Sequence, residues 1–209
     1  ESSIGLHHRV CMHGLDSVPS PPPGRGYSSP IQCLPIWIRP KSSFSDKPSS
    51  NANAARIKLL HAMMHHADKP DLGMDKFPPE KGIYRSVLFQ TGLHREVELN
   101  QWQLCEPEKG TPFYDVWQRI ESFLESTEGE PRAFIELNKE LMAPPYGVKA
   151  GLLPILYFAV YCTQKSSLAV YEARKFMPSF TPDMLDRFVK RPDEFKFQRF
   201  RVDGLRQSI

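Results

Sequence analysis

The sequence predicts a mainly α fold with small β elements, a helical domain whose C-terminal part is winged-helix-like. Three observations carry this. Phe113, Val116, Trp117, Ile120, Phe123 and Leu124 recur at i, i+3, i+4, i+7, i+10 and i+11, the apolar stripe of an amphipathic helix. Residues 152–162 form an almost unbroken apolar run of eleven, long enough for a core helix. Residues 195–202 (FKFQRFRV) alternate apolar and polar side chains, the pattern of a half-buried strand.

The elements follow in chain order. Residues 51–67 (NANAARIKLLHAMMHHA) combine good helix formers with apolar Ile57, Leu60 and Met64 at i, i+3 and i+7, and stop before Pro70. Pro78 and Pro79 open a second helix that buries Ile83, Val87 and Leu88 and ends at Gly92. Residues 98–106 (ELNQWQLCE) read as a short strand with Trp102 and Leu104 on one face and Gln101, Gln103 and Cys105 on the other. Thr111 is expected to cap the amphipathic helix, with Pro112 at its first position.

After a turn at 125–129, residues 131–142 repeat the helical form more weakly through Phe134, Leu137 and Leu141. The stretch APPYGVKAGLLP (143–154) is a structural corner: Pro144 and Pro145 end one helix, Gly147 and Gly151 allow a reversal or a close approach, and Pro154 fits the first turn of the next. Residues 168–171 and 175–177 read as strands around a turn. Thr181, Pro182 and Asp183 begin a helix through Met184, Leu185, Phe188 and Val189, and the strand at 195–202 closes the order. The expected organisation is a Pro/Ser-rich, poorly ordered leader over 1–48, a helical region with a short strand or hairpin over 49–142, and a core helix plus winged-helix-like unit over 143–209.

Composition narrows the classes. With 209 residues and 40% hydrophobic content, there is material for a real core, while eight of the 20 prolines crowd into residues 1–50 and argue against regular structure there. A net charge of +3 allows a nucleic-acid partner without demanding one. Cys11, Cys33, Cys105 and Cys162 lie far apart with no CxxC pair, which fits neither a zinc module nor a disulfide framework and points to a reducing, cytoplasmic setting. The run at 152–162 is about half of the roughly 20 residues a spanning helix needs, so no membrane anchor is expected, and the N-terminus lacks a signal-peptide pattern.

Motifs for catalysis are sparse. His61 and His65 at i, i+4, with His66 alongside, have the spacing for a shared metal, but Ala62 stands where HExxH needs Glu and no third ligand follows, so solvated helix-end histidines are the reading taken. Gly147, Lys149 and Gly151 are too closely spaced for a phosphate loop, and no GxSxG elbow or Cys–His pairing occurs. No catalytic residue, metal or cofactor is therefore assigned.

The tail is different. Residues 174–206 hold nine basic and five acidic residues, a local net charge of +4. Lys175, Lys196, Arg199 and Arg201 are the candidate phosphate contacts of a DNA-binding module, and Tyr146 and Lys149 the exposed candidates for partner contact at the corner.

Four strings carry a resemblance: SSNANAARIKLLHAMMHHADKPDLGM (49–74), PPEKGIYRSVLFQTGLHR (78–95), PPYGVKAGLLPILYFAVY (144–161), and LAVYEARKFMPSF (168–180) with the helix, PDEF and strand that follow to 197. Together they resemble a downstream helical region of very large bacterial P-loop ATP-binding proteins, often encoded near phage-defence or DNA-modification functions. The resemblance spans roughly three quarters of the chain and rests on packing residues. It implies a non-catalytic segment that couples ATPase motion to DNA or to other domains and subunits, because the nucleotide-binding elements of such ATPases lie outside the matched strings. Residues 1–40 do not resemble the family, which suggests a truncated gene product.

Overall fold

The structure, a computed structural model, describes residues 49–200; the expected leader over 1–48 and residues 201–209, including Arg201, lie outside the described residues. Six α-helices carry most of the fold: α1 (Ser50–His65), α2 (Pro79–Tyr84), α3 (Tyr114–Glu125), α4 (Asn138–Met142), α5 (Leu153–Gln164) and α6 (Pro182–Lys190). Strands β1 (His94–Glu98) and β2 (Gln101–Leu104) form an antiparallel hairpin, and β3 (Leu168–Glu172), β4 (Lys175–Met177) and β5 (Phe195–Arg199) form a sheet in the order β4-β3-β5. The fold is mainly α with small β elements.

Ser49 caps α1 by accepting a hydrogen bond from the Ala52 N–H at 3.2 Å. The buried face is Ala55, Arg56, Leu59, Leu60 and Met63, whereas the expected stripe of Ile57, Leu60 and Met64 is only partly inside. The difference is a rotation of about one residue: α1 is wedged between α2 and the pair α5 and α6, which centres its contacts on Leu59 and Met63. α2 begins at Pro79, widens into a π turn over Arg85–Phe89, buries Ile83, Val87 and Leu88, and gives way to Gly92 at φ 74°.

The six apolar residues expected on the α3 stripe are all buried. Thr111 is not its cap; the Thr111 hydroxyl donates to the Glu108 carbonyl at 2.6 Å, and helix begins only at Tyr114. The preceding loop takes the hydroxyl that a cap would need. Phe134, Leu137 and Leu141 are buried in a 3₁₀ turn (Phe134–Leu137) that runs into α4.

At the corner the Pro144–Pro145 bond is cis and Gly147 sits at φ 62°, a left-handed conformation in which its N–H reaches the Ala143 carbonyl at 3.0 Å. Gly151 needs no such conformation; it is buried in the 3₁₀ turn Ala150–Leu152 that feeds α5. α5 is buried from Leu153 and from Ile155 through Tyr161, on nearly every side, as the apolar run predicts. Among the described residues no helix is long and apolar enough to cross a membrane.

One hydrophobic cluster runs from Ala55 in α1 to Phe197 in β5, through both the 49–142 and the 143–200 segments. Its aromatic centre has Phe134 stacked on Tyr157 at 4.6 Å and against Phe197 at 4.3 Å, with Phe180 stacked parallel to Phe195 at 5.7 Å. The C-terminal unit is a ββαβ arrangement. Among the described residues after α5, α6 is the one α-helix; it lies between the second and third strands, without the consecutive helix pair that a helix-turn-helix uses.

Candidate nucleic-acid interface

The three-stranded sheet has two unlike faces because side chains alternate along each strand. Leu168, Val170, Phe195 and Phe197 point into the core. Ala169 and Tyr171 of β3, Lys196 and Gln198 of β5, and Phe176 of β4 point the other way. The register puts Phe176, Tyr171 and Lys196 in one row across the three strands, with Ala169 and Gln198 in the next. Phe176 is 54% exposed and meets Tyr171 edge-on at 5.8 Å between centroids. The Tyr171 hydroxyl donates to Gln198 Oε1 at 3.0 Å, and Gln198 Nε2 donates to the Glu128 carbonyl at 3.1 Å, which fixes the middle of this face.

The cations expected to contact a partner have separate fates. Arg199 turns inward: its Nη2 meets Glu121 Oε2 at 2.8 Å and also Gln164 Oε1, and its backbone N–H donates to the Thr127 hydroxyl at 2.9 Å. Burial raises the Glu121 carboxyl above its ordinary pKa, against the Arg199 hydrogen bond and charge that pull it down. Arg187 and Arg191 are likewise engaged, by Glu172 and Glu194. Lys175 and Lys196 make no ion pair among the described residues; Lys175 is exposed on the edge strand β4, paired in register with Glu172, and Lys196 is on the outer face.

The charge of Lys196 reaches Glu136. Against burial, which raises it, the Arg132 hydrogen bond, the Ala133 N–H and the Arg132 and Lys196 charges hold that carboxyl low. Lys149 is exposed at the 143–154 corner, and Tyr146 there is half-buried against the core. Lys175 and Lys196 thus lie on the two outer strands of the sheet, with β3 between them and in register rows that face opposite ways, while Tyr146 and Lys149 lie outside the sheet. Arg201 lies outside the described residues.

The histidine cluster of α1 is also accounted for. His61 Nε2 lies 3.5 Å from Asp186 Oδ1 of α6, and its ring stacks on His65 at 6.5 Å. Among the described residues no group of three or more His, Cys, Asp or Glu side chains is arranged to hold a metal ion. A cleft of about 360 Å³ beside α1, β2 and α5 has an apolar floor including Met63, Phe158 and Phe180, with Cys162 in its lining. Burial pushes the Cys162 thiol up to about 12, so it is protonated at neutral pH and is not the thiolate that nucleophilic chemistry requires.

Sequence reasoning missed one buried polar connection. His94 is fully buried; its Nδ1 accepts from the Tyr84 hydroxyl at 2.9 Å and its Nε2 donates to the Ala67 carbonyl at 3.0 Å, tying β1 to α2 and to the end of α1. Burial lowers the imidazole pKa, opposed by the Ala67 hydrogen bond and the Asp71 charge. In the unfolded chain the same ring takes up a proton near its ordinary value of about 6.5. The stabilisation from neutral His94 is therefore complete above about pH 6.5 and is lost as pH falls through that value toward the depressed folded pKa. Urea midpoints should drop more between pH 7.5 and 5.5 for the parent protein than for a His94→Gln variant. Equal drops would show that another group controls acid lability.

No family model matches this chain, and no curated protein or solved structure matches it.

Proposed function

We propose that this chain is a non-catalytic, cytoplasmic segment of a larger ATP-driven protein, coupling ATPase motion to a nucleic-acid partner through its C-terminal sheet. The observation that carries this reading is the distribution of partners among the cations of that unit. Arg187, Arg191 and Arg199 are each taken by a carboxylate, while Lys175 and Lys196, on the two outer strands of one sheet, make no ion pair among the described residues. Ammonium groups without a protein partner are what a phosphate backbone meets. The coupling part of the reading rests on the resemblance of the run from about Ser49 to Arg206 to a downstream helical region of large bacterial P-loop ATP-binding proteins. ATP hydrolysis is not assigned to this chain.

A free-standing DNA-binding module is the second reading, favoured by the same two lysines. It would insert a helix into the major groove, and α6 is poorly suited to that. Its Arg187 is bonded to Glu172 of β3 and its Asp186 is near His61 of α1, so both flanks of the helix are tied to the body of the protein. The test is a titration of the full chain against labelled DNA at two salt concentrations. Binding that weakens with salt and with a Lys175→Glu, Lys196→Glu double variant is the expected result. Absence of binding at low salt would overturn the nucleic-acid partner and leave a protein partner within the ATPase.

A further inference from the structure

We propose that the outer face of the β4-β3-β5 sheet is a stacking platform for single-stranded nucleic acid, on which Phe176 and Tyr171 receive bases while Lys196 meets the backbone. This rests on the nucleic-acid reading above and specifies its substrate class. Phe176, Tyr171 and Lys196 occupy one row of the register, so two rings and a cation lie side by side across the sheet. Neighbouring strands are about 4.8 Å apart, which puts Lys196 roughly 10 Å from Phe176, within reach of the backbone of a base stacked there.

The second aromatic end of the face is Phe200, which follows Lys196 and Gln198 in the same alternation. It is 43% exposed, and its N–H bonds the Ser167 carbonyl at 3.1 Å. Rings of this size are usually buried, and the inner face of the same sheet shows that burial was available: Phe195 and Phe197 are at 0% and 1% exposure.

Charge complementarity selects an anionic occupant. Three carboxylates beside the sheet are engaged by arginines, Glu172 by Arg187, Glu194 by Arg191 and Glu136 by Arg132, and Glu136 also feels the Lys196 charge. Lys196, Lys175 and Arg174 make no ion pair among the described residues, and Arg174 is exposed at φ 68° in the β3–β4 turn. Aromatic rings accept any base through its π-face when the bases are unstacked from a duplex, and adjacent cations follow the backbone. A duplex hides those π-faces. The platform therefore discriminates single strands from duplexes, independently of sequence.

The experiment is fluorescence anisotropy with the full chain, an oligothymidine of about a dozen nucleotides and a duplex of equal length, at low salt. The single strand should bind more tightly. Phe176→Ala should weaken single-strand binding about tenfold, as expected for one lost base stack, and leave duplex binding unchanged. Phe176→Tyr should retain binding, and it guards against a folding artefact at this exposed position. Equal affinity for both forms, or single-strand binding indifferent to Phe176→Ala, would overturn the platform while nucleic-acid contact stood. Binding to neither form would overturn both.

Discussion

Phe197→Ala should lower the stability of this protein by about 3–5 kcal/mol, the range for removing a fully buried aromatic ring. Phe197 is 1% exposed and contacts rings from four other elements or their connections: Phe134 at 4.3 Å, Tyr161 at 6.4 Å, Phe188 at 6.2 Å and Phe180 at 6.3 Å. Its backbone also exchanges both hydrogen bonds with Arg132, so the strand is held from the side opposite β3. Truncation leaves a void that these rings cannot fill without leaving their own packing. Domains of this kind have only about 5–15 kcal/mol of total stability, so the loss would bring the variant close to unfolding. Phe176→Ala, on the exposed face of the same sheet, should change stability by no more than about 0.5 kcal/mol. Urea denaturation of both variants checks the contrast, and similar losses would mean that the two faces are not as unlike as the burial indicates.

The second large effect is expected at Arg199. Its side chain is 19% exposed and that of its partner Glu121 is 17% exposed, so the pair is largely withdrawn from solvent. Gln164 bonds both members, linking α3, α5 and β5 through one polar cluster. Arg199→Ala leaves the Glu121 carboxylate partly buried without its cation and should cost about 2–4 kcal/mol, toward the lower side of values for broken buried pairs because some solvent access remains. A double-mutant cycle with Glu121→Gln should give a coupling of about 1–3 kcal/mol, since the residues share a network. Coupling near zero would mean that Arg199 is held by its neighbours without stabilising them. Nucleic-acid affinity of the folded Arg199→Ala protein should stay close to the parent value, because the guanidinium is spent internally.

The fate of Arg199 shows where the sequence was legible and where it was not. Periodicity reports which side of an element is buried, and α3, α5 and β5 follow it: the stripe at 113–124, the run at 152–162 and the alternation at 195–199 all appear as expected. Periodicity does not report long-range partners. Glu121 is 78 residues from Arg199, so a count of charges in the tail assigns to solvent a cation that the fold neutralises.

Strand β1 was illegible for a related reason. Its inward residue is His94, while Val97 and the following Leu99 are 42% and 87% exposed, so the apolar residues mark the wrong positions. In α1 the buried Arg56 interrupts the apolar pattern and displaces the apparent stripe. The aromatic row on the outer sheet face could not be read from sequence, because the alternation within β5 says nothing about which residues of β3 and β4 lie beside it.

The central claim, that Lys196 and Lys175 of the C-terminal sheet contact a nucleic-acid backbone, is tested most directly by the salt dependence of binding. Plotting the logarithm of the association constant of the full chain for labelled DNA against the logarithm of salt concentration should give a negative slope. Lys196→Ala should reduce the magnitude of that slope by about one, the change expected on losing one phosphate contact. Binding too weak to detect at low salt, or a slope unchanged by Lys196→Ala, would contradict the account.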